Sequence, residues 1–274
     1  MVAVDIALFT VFFIVLSILI TLPFQSLFLY AQSPDGSTSI PISILNETLM
    51  LVSGFLSVWL VLFIRKQPLT GLGFALKGYG KDFLAGLLFA IVLYGIGFGV
   101  CVGTGAVEVT DASFSLSMQL QSLVLFLLVA IFEEMVSRGF ILGRMLDGGV
   151  NKFWALFFSA LLFSLMHLFN PNFAFVPFLN ILLAGMLLGA SYIYTRNLCF
   201  PIALHWFWNW LQGSVLGFEV SGVRFTDSLL SLHLPEDNQI NGGSFGFEGS
   251  LLCTVLMVIG ILLIIRRKEA KMPC

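Results

Sequence analysis

Two adjacent acids and an arginine lie inside a long apolar segment of the chain. Glu133, Glu134 and Arg138 fall in residues 118–141, which contain no other charged residue. Inserting one ionised side chain at the centre of a membrane-spanning helix costs about 2.5–3.5 kcal/mol, and such residues are by default candidates for function. Three charges within one helical segment therefore indicate a site with a chemical role.

The spacing of these residues assigns partners to two of them. Glu134 and Arg138 are four residues apart, so on a helix they share a face and can form an ion pair. Glu133 lies about 100° around the helix from Glu134 and faces a different neighbour. A carboxylate without a partner is available as a general base. The alternative is a purely ionic clamp between helices, which would need only one of the two carboxylates.

Two histidines add to this group from other apolar segments. His167 follows Phe163 by four residues, and His205 precedes Asn209 by the same spacing, so each pair shares one helix face. Histidines in membranes also serve as simple hydrogen-bonding contacts between helices. Two glutamates, two histidines and an asparagine on three segments favour a site over that simpler interpretation.

The depth of these residues in the bundle follows from their distance along the chain. Glu133 and His167 are equally far from Val150, the centre of the turn between their segments. We therefore expect them to lie at one level and to meet across an antiparallel hairpin. His205 lies much nearer to the start of its own segment at Cys199. Either that segment starts deep in the bundle, or the two segments of the hairpin project further.

These side chains permit hydrolysis of a peptide bond without a protein nucleophile. A carboxylate and a histidine can hold and deprotonate a water molecule, directly or on a metal ion, while a second histidine and an asparagine donate hydrogen bonds to the oxyanion. A zinc ion could be held by Glu133, His167 and His205, although the H-E-x-x-H pattern of zinc peptidases is missing. The predicted cofactor is therefore none or unknown.

The surrounding chain has the composition of an integral membrane protein. Of its residues, 58% are hydrophobic and 10% charged, and the mean hydropathy is +1.01, whereas charged residues make up about 25% of an average soluble domain. The apolar runs predict an all-α bundle of about eight transmembrane helices with an intramembrane polar cavity. The predicted spans are about residues 6–30, 44–64, 82–104, 118–146, 152–169, 175–195, 199–217 and 249–266.

The chain divides into two predicted parts. Residues 1–117 supply three spans and an amphipathic segment at 67–82, which is either an interfacial segment on the membrane surface or a plain loop. Residues 118–274 supply five spans and a long outer loop at 218–249, which we expect to pack onto the bundle as a cap. The N-E-T pattern at residues 46–48 matches a glycosylation site and is interpreted as a chance match.

The basic residues predict the orientation of the chain. When alternate connections are threaded through the predicted spans, all the lysines and arginines except Arg138 and Arg224 fall on one side. These residues are Arg65, Lys66, Lys77, Lys81, Arg144, Lys152, Arg196, Arg266, Arg267, Lys268 and Lys271. Because basic residues accumulate in cytoplasmic loops, both termini are expected to be cytoplasmic.

Three motifs together resemble one protein family. E-E-x-x-x-R at residues 133–138, F-x-x-x-H at 163–167 and H-x-x-x-N at 205–209 resemble the CPBP or Abi family, the CAAX protease and bacteriocin-processing proteins related to the type II CAAX prenyl endopeptidases. Each motif alone is a weak signal, whereas three in this order on separate spans are specific. The resemblance covers residues 118–217 best, and F-G-F-E-G at 245–249 is similar to a later segment of the family.

The resemblance implies an intramembrane endopeptidase built on eight spans around a conical cavity. The implied roles are water activation by Glu133 with His167, and stabilisation of the oxyanion by His205 with Asn209. The implied supporting residues are Glu134, Arg138 and Phe163. Members of the family are described both as metal-dependent and as glutamate-type proteases without a metal, so the cofactor stays open.

The expected substrate is a peptide or a membrane protein in the lipid bilayer, and no nucleic-acid partner is expected. The expected location is a bacterial inner or plasma membrane, in a multi-pass arrangement. Two other functions remain open. One is a non-catalytic binding or scaffold protein of the bacteriocin self-immunity type that uses the same cavity. The other is ion or proton translocation through Glu133 and His167, although the internal repeat of many transporters is not visible.

Overall fold

The computed structural model describes residues 1–30, 39–223 and 227–270, and these residues are mostly helical. The helices are α1 (Val2–Thr21), α2 (Gln25–Tyr30), α3 (Ile40–Ile64), α4 (Gly80–Gly103), α5 (Leu116–Glu134), α6 (Gly143–Asp147), α7 (Lys152–Met166), α8 (Phe175–Thr195), α9 (Cys199–Asn209) and α10 (Leu251–Glu269). Two π-helical segments, Met135–Leu142 between α5 and α6 and Trp210–Val215 after α9, make continuous helices longer than the α-helical parts alone.

Five helical stretches of the described residues are long and apolar enough to cross a membrane. They are Val2–Leu29, Ile40–Ile64, Gly80–Gly103, Leu116–Asp147 and Phe175–Thr195. The protein is therefore a multi-pass membrane protein, as its composition predicts. Three of the predicted spans are not confirmed: α7 has 15 residues, α9 has 11 residues before its π-helical continuation, and α10 carries three basic residues in its last turn.

Glycines let the helices around the predicted site approach closely. A Cβ atom on Gly185 of α8 would lie 2.8 Å from the Cα of Ala160 on α7, and one on Gly86 of α4 would lie 2.5 Å from the backbone oxygen of Phe200 on α9. Contacts this short exclude a side chain, so glycine sets the spacing of both helix pairs. The two helices that lead to the predicted histidines are thus held tightly against their neighbours.

Charged residues from several elements meet at one end of the bundle. Asp5 of α1 is fully buried and accepts hydrogen bonds from Arg65 Nε at 2.6 Å and from Arg144 Nη2 at 2.8 Å. Asp147 at the end of α6 pairs with Arg196. These contacts bring three of the basic residues that were predicted to share one side to the same end of the bundle. That this end faces the cytoplasm stays a prediction.

At the same end, the start of α9 is recessed. The segment at 67–82 docks against the chain before α9, where the Leu198 N–H donates to the Gly73 carbonyl oxygen at 2.9 Å. A Cβ atom on Gly139 would lie 3.4 Å from Leu198, so α9 begins beside the middle of the segment that joins α5 to α6. The continuous helix that contains α5 and α6 extends beyond the level at which α9 begins and ends at Asp147. This recess is the deep start that was one of the alternatives, and it brings His205 level with the two glutamates.

A small sheet and the outer loop cover the opposite end of the bundle. Strand β1 (Glu108–Ala112) pairs in an antiparallel manner with strand β2 (Leu230–His233), a sheet that the all-α prediction did not include. In the outer loop, Phe245 and Phe247 are buried against the helices. The predicted cap is confirmed for the described part of this loop. Arg224 and Lys271, which entered the prediction of orientation, lie outside the described residues.

Candidate active site

The two glutamates stand where α5 changes into a π-helix. α5 ends at Glu134, and the backbone of Met135–Leu142 is π-helical. Such wide turns inside α-helices occur frequently at functional sites. The Ser159 hydroxyl of α7 donates a hydrogen bond to the carbonyl oxygen of Ser137 at 2.8 Å. The π-helical segment is thereby held against α7, the helix that ends just before His167.

Glu134 lies at the centre of a fully buried ionic cluster. Its Oε1 accepts a hydrogen bond from Arg138 Nη1 at 2.7 Å and lies 2.8 Å from His205 Nδ1. The other guanidinium nitrogen of Arg138 donates to the carbonyl oxygen of Gly185 at 3.0 Å, and the guanidinium carbon lies 4.4 Å from the ring centroid of Phe163. The predicted pairing of Glu134 with Arg138 is confirmed. The cluster also joins α5, α7, α8 and α9 at one point.

His205 links this cluster to the other glutamate. Since an ionised carboxylate only accepts hydrogen bonds, the Nδ1 that contacts Glu134 carries the proton. The Nε2 of the same ring lies 3.7 Å from Glu133 Oε2. With Nδ1 protonated, Nε2 can donate a hydrogen bond only when the ring is an imidazolium. The carboxylate of Glu134 stabilises that charge.

Glu133 is partly open and has no direct partner. Its Oε2 is buried without a hydrogen-bond partner, 4.0 Å from His167 Nε2 and 3.7 Å from His205 Nε2. Both separations exceed the range of about 2.7–3.2 Å for a direct hydrogen bond. They suit a water molecule that contacts the carboxylate and a ring nitrogen together. The predicted meeting of Glu133 and His167 at one level is confirmed.

His167 is oriented by the backbone of its own helix. α7 ends at Met166, so His167 caps the helix rather than lying inside a span that continues to residue 169. Its Nδ1 lies 2.8 Å from the carbonyl oxygen of Phe163. Because that oxygen only accepts, Nδ1 carries the proton, and Nε2, which faces Glu133, is an acceptor when the ring is neutral.

One cavity of about 1220 Å³ brings the predicted catalytic residues together. The residues of this group that line it are Glu133, His167, His205 and Asn209. Asn209 is 6% exposed and lies on the same helix face as His205. Among the predicted supporting residues, Phe163 also lines the cavity, whereas Glu134 and Arg138 lie behind its wall. Most of the remaining wall is apolar, so the predicted polar cavity is not confirmed: the polar residues form a patch in an apolar surface.

The described residues contain no group of three His, Cys, Asp or Glu side chains arranged to hold a metal ion. Two ligands of one tetrahedral zinc ion, each about 2.0–2.1 Å from it, lie about 3.4 Å apart. The Oε2 of Glu133 is 3.7 Å from the nearer histidine nitrogen and 4.0 Å from the other. The set predicted as potential zinc ligands is thus wider than a closed metal site.

Glu248 is a buried carboxylate beside the site that the sequence interpretation did not select. Its Oε1 accepts a hydrogen bond from Trp208 Nε1 at 2.9 Å, and its Oε2 accepts from the backbone N–H and the hydroxyl of Ser221 at 2.9 and 2.8 Å. Because Trp208 directly precedes Asn209, these bonds tie the outer loop to the helix that carries the site. The sequence feature that could have identified Glu248 is the F-G-F-E-G segment at residues 245–249, which contains it and resembles a later segment of the family.

A second carboxylate faces the cavity from α3. Glu47 and its neighbour Asn46 both line the cavity, and the Asn46 amide lies 3.4 Å from Glu47 Oε1. Glu133 lines the same cavity, so the two carboxyl groups face one space. The sequence interpretation treated residues 46–48 only as a chance glycosylation pattern. The signal that was available is that Glu47 is the single charged residue in the predicted span at 44–64.

Comparison with known protein families identifies the central part of the chain. Residues 115–211 match the family model described as type II CAAX prenyl endopeptidase Rce1-like. This segment contains all three motifs, so the resemblance predicted from them is confirmed there. The matched family is a protease family. No curated protein and no solved structure matches the chain significantly.

Proposed function

We propose that this protein is an intramembrane endopeptidase in which Glu133 activates a water molecule for attack on a peptide bond. One observation carries the proposal: the unpaired Oε2 of Glu133 lies within 4.0 Å of the Nε2 atoms of both His167 and His205 at the wall of a cavity. The match of residues 115–211 to a protease family supports hydrolysis as the reaction class.

The water is held between two acceptors. Glu133 Oε2 and His167 Nε2 each accept one of its protons, because the Nδ1–H of His167 is already bonded to the Phe163 carbonyl oxygen. A water bound in this way keeps its lone pairs free for attack. As its oxygen bonds to the carbonyl carbon of the substrate, one proton passes to Glu133, which acts as general base.

The oxyanion then needs donors on the other side of the carbon. The Nε2–H of an imidazolium His205 and the side-chain amide of Asn209 supply two hydrogen bonds from one face of α9. When the C–N bond breaks, the leaving nitrogen takes the proton from Glu133. The products are a carboxylic acid, which keeps the second proton of the water, and an amine, and the base returns to its starting state.

The buried cluster behind the cavity wall prepares His205 for this role. Glu134 fixes the orientation of the ring through Nδ1 and balances its positive charge, while the ion pair with Arg138 holds Glu134 in place. Neither Glu134 nor Arg138 lines the cavity. We therefore propose that both are positioning residues and that Phe163 supports them by contact with Arg138.

The proposed substrate is a peptide or a membrane protein that reaches the cavity from the bilayer, with both termini of the enzyme on the cytoplasmic side. The test is cleavage of a peptide library by the purified protein in nanodiscs, with native, Glu133→Gln and Glu108→Gln proteins in parallel. Glu108 is exposed on β1 and controls for loss of one carboxylate. We expect cleavage by the native and Glu108→Gln proteins only. Full activity of a folded Glu133→Gln protein would overturn the proposal.

A further inference from the structure

Glu47 is an acid inside a membrane-spanning helix without a basic partner among the described residues. It lies in α3, one of the stretches long and apolar enough to cross a membrane, and its hydrogen bond comes from the neutral Asn46 amide. Ionisable groups in such helices usually pair with one another or mark a pathway or binding site. The unpaired state of Glu47 therefore calls for a partner that the described residues do not supply.

The cavity that Glu47 faces has an excess of negative charge. Glu47 and Glu133 line it together, the described residues of the wall include no lysine or arginine, and the imidazolium of His205 lies at Glu133 rather than forming an ion pair with Glu47. A third wall carboxylate, Glu248, is already satisfied by hydrogen bonds from Trp208 and Ser221. In a wall that is otherwise mostly apolar, repulsion between two carboxyl groups is weakly screened. A positive group placed in this cavity is therefore attracted by both.

An independent feature of the same wall also points to a ligand. The Asn209 side chain is only 6% exposed, yet it lines the cavity and makes no hydrogen bond to the described residues. The amide is open to the cavity rather than enclosed, so its hydrogen-bonding groups are available to a polar ligand. That ligand, a peptide group at Asn209, would lie in the same cavity as Glu47.

We infer that Glu47 determines substrate specificity by binding a cationic group of the substrate near the scissile bond. This inference rests on the proposed function. The cationic group is a basic side chain or a free amino terminus. A cation there pairs with Glu47 and relieves its repulsion with Glu133. An acidic group at the same place meets two like charges. The preferred substrate is thus a peptide segment with a positive charge close to the bond that is cut.

The test compares matched peptides that differ by one charge. A peptide cleaved by the native protein is resynthesised with lysine, glutamine or glutamate at each position flanking the scissile bond, with free and acetylated amino termini. We expect kcat/KM to be at least about tenfold higher for lysine than for glutamine at one position, equivalent to about 1.4 kcal/mol. In Glu47→Gln protein the ratio should fall to about two or less, and Glu236→Gln, an exposed change in the outer loop, should retain it. If acetylation rather than the lysine carries the effect, the cation is the amino terminus.

Binding separates this inference from the proposed function. Fluorescent lysine and glutamine peptides are titrated into Glu133→Gln protein and into the Glu133→Gln/Glu47→Gln double variant, so that no cleavage is needed. The preference for lysine should be present in the first and absent in the second. An equal preference in both proteins, or tighter binding of the glutamate peptide by the first, would overturn the role of Glu47. Absence of cleavage by native protein would instead count against the proposed function alone.

Discussion

Glu133 and Glu134 are neighbours in the chain with opposite surroundings. Each has one buried carboxylate oxygen without a hydrogen bond. Glu134 is fully buried, ion-paired with Arg138 and hydrogen-bonded to His205, whereas Glu133 lines the cavity and has only histidine nitrogens at 3.7 and 4.0 Å nearby. A helix turns by about 100° per residue, so adjacent positions reach different sides of the same wall. The comparison separates two tasks that identical side chains perform: one carboxylate fixes the geometry of the site, and the other is left free to react.

The largest expected effect is on catalysis at the open carboxylate. Glu133→Gln keeps the size of the side chain but removes the base, so we expect kcat to fall by about 10²–10⁴-fold. The melting temperature should fall less than for a change at Glu134, since Glu133 can lose only its contacts of 3.7 and 4.0 Å with the two histidine nitrogens. Single-turnover cleavage and thermal unfolding in the same detergent measure both quantities. A large loss of stability would show that Glu133 shares the structural task of its neighbour.

A change at the buried carboxylate of Glu134 should affect stability more than the same change at Glu133. Glu134→Gln leaves Arg138 as a buried charge without its partner, and such changes cost about 3–5 kcal/mol of stability. Activity should fall as well, because His205 loses the group that orients its ring. Denaturant or thermal unfolding compares this variant with the matched Glu133→Gln protein. Equal stability of the two variants would remove the distinction between the two glutamates.

A change at Asn209, which lines the cavity, tests whether this side chain stabilises the oxyanion. Removing one donor to an oxyanion lowers kcat by about 10²–10³-fold, and we expect Asn209→Ala to do so with little change in KM. An effect on KM alone would assign this side chain to substrate binding rather than to the transition state. The steady-state parameters are measured on the peptide identified with native protein, and Gln239→Ala, an exposed amide in the outer loop, is the control.

Removal of metal should have the smallest effect. The oxygen of Glu133 and the histidine nitrogens are too widely spaced for one tetrahedral ion, and no other set of three suitable ligands lies among the described residues. We expect kcat/KM to be unchanged after incubation with a tight chelator and removal of the chelate. If cleavage is lost with the chelator and is restored when zinc is added back, Glu133 and the two histidines act through a metal ion.

The motif residues could be predicted from sequence because their contacts follow helix periodicity. The pairing of Glu134 with Arg138 needed only the four-residue spacing, and the meeting of Glu133 with His167 needed only the position of one turn. The number of spans was harder to predict. Hydropathy does not register that α7 stops at Met166 or that α9 is short and recessed, because a docked loop and a change to π-helix leave the apolar character of the chain unaltered.

Glu47 and Glu248 show why the remainder of the site was missed. Each is a single acid at the edge of an apolar segment, where the sequence equally allows contact with water. Their meaning comes from partners that are distant in the chain: Glu133 for Glu47, and Trp208 with Ser221 for Glu248. Such pairs follow from the packing of α3 and of the outer loop, which no local pattern encodes.

The hydrogen bonds of Glu248 bear on how a substrate enters and leaves. The bond from Trp208 joins the outer loop to α9 at the residue before Asn209, so raising the loop would break this bond beside the site. The wall formed by α1 and α3 borders the cavity and is more exposed: only 11% of the most apolar part of the first helical stretch is buried, against 72% in α8. We therefore expect traffic to pass sideways between α1 and α3 and the rest of the bundle, directly from the lipid, while the oxyanion donors stay in place.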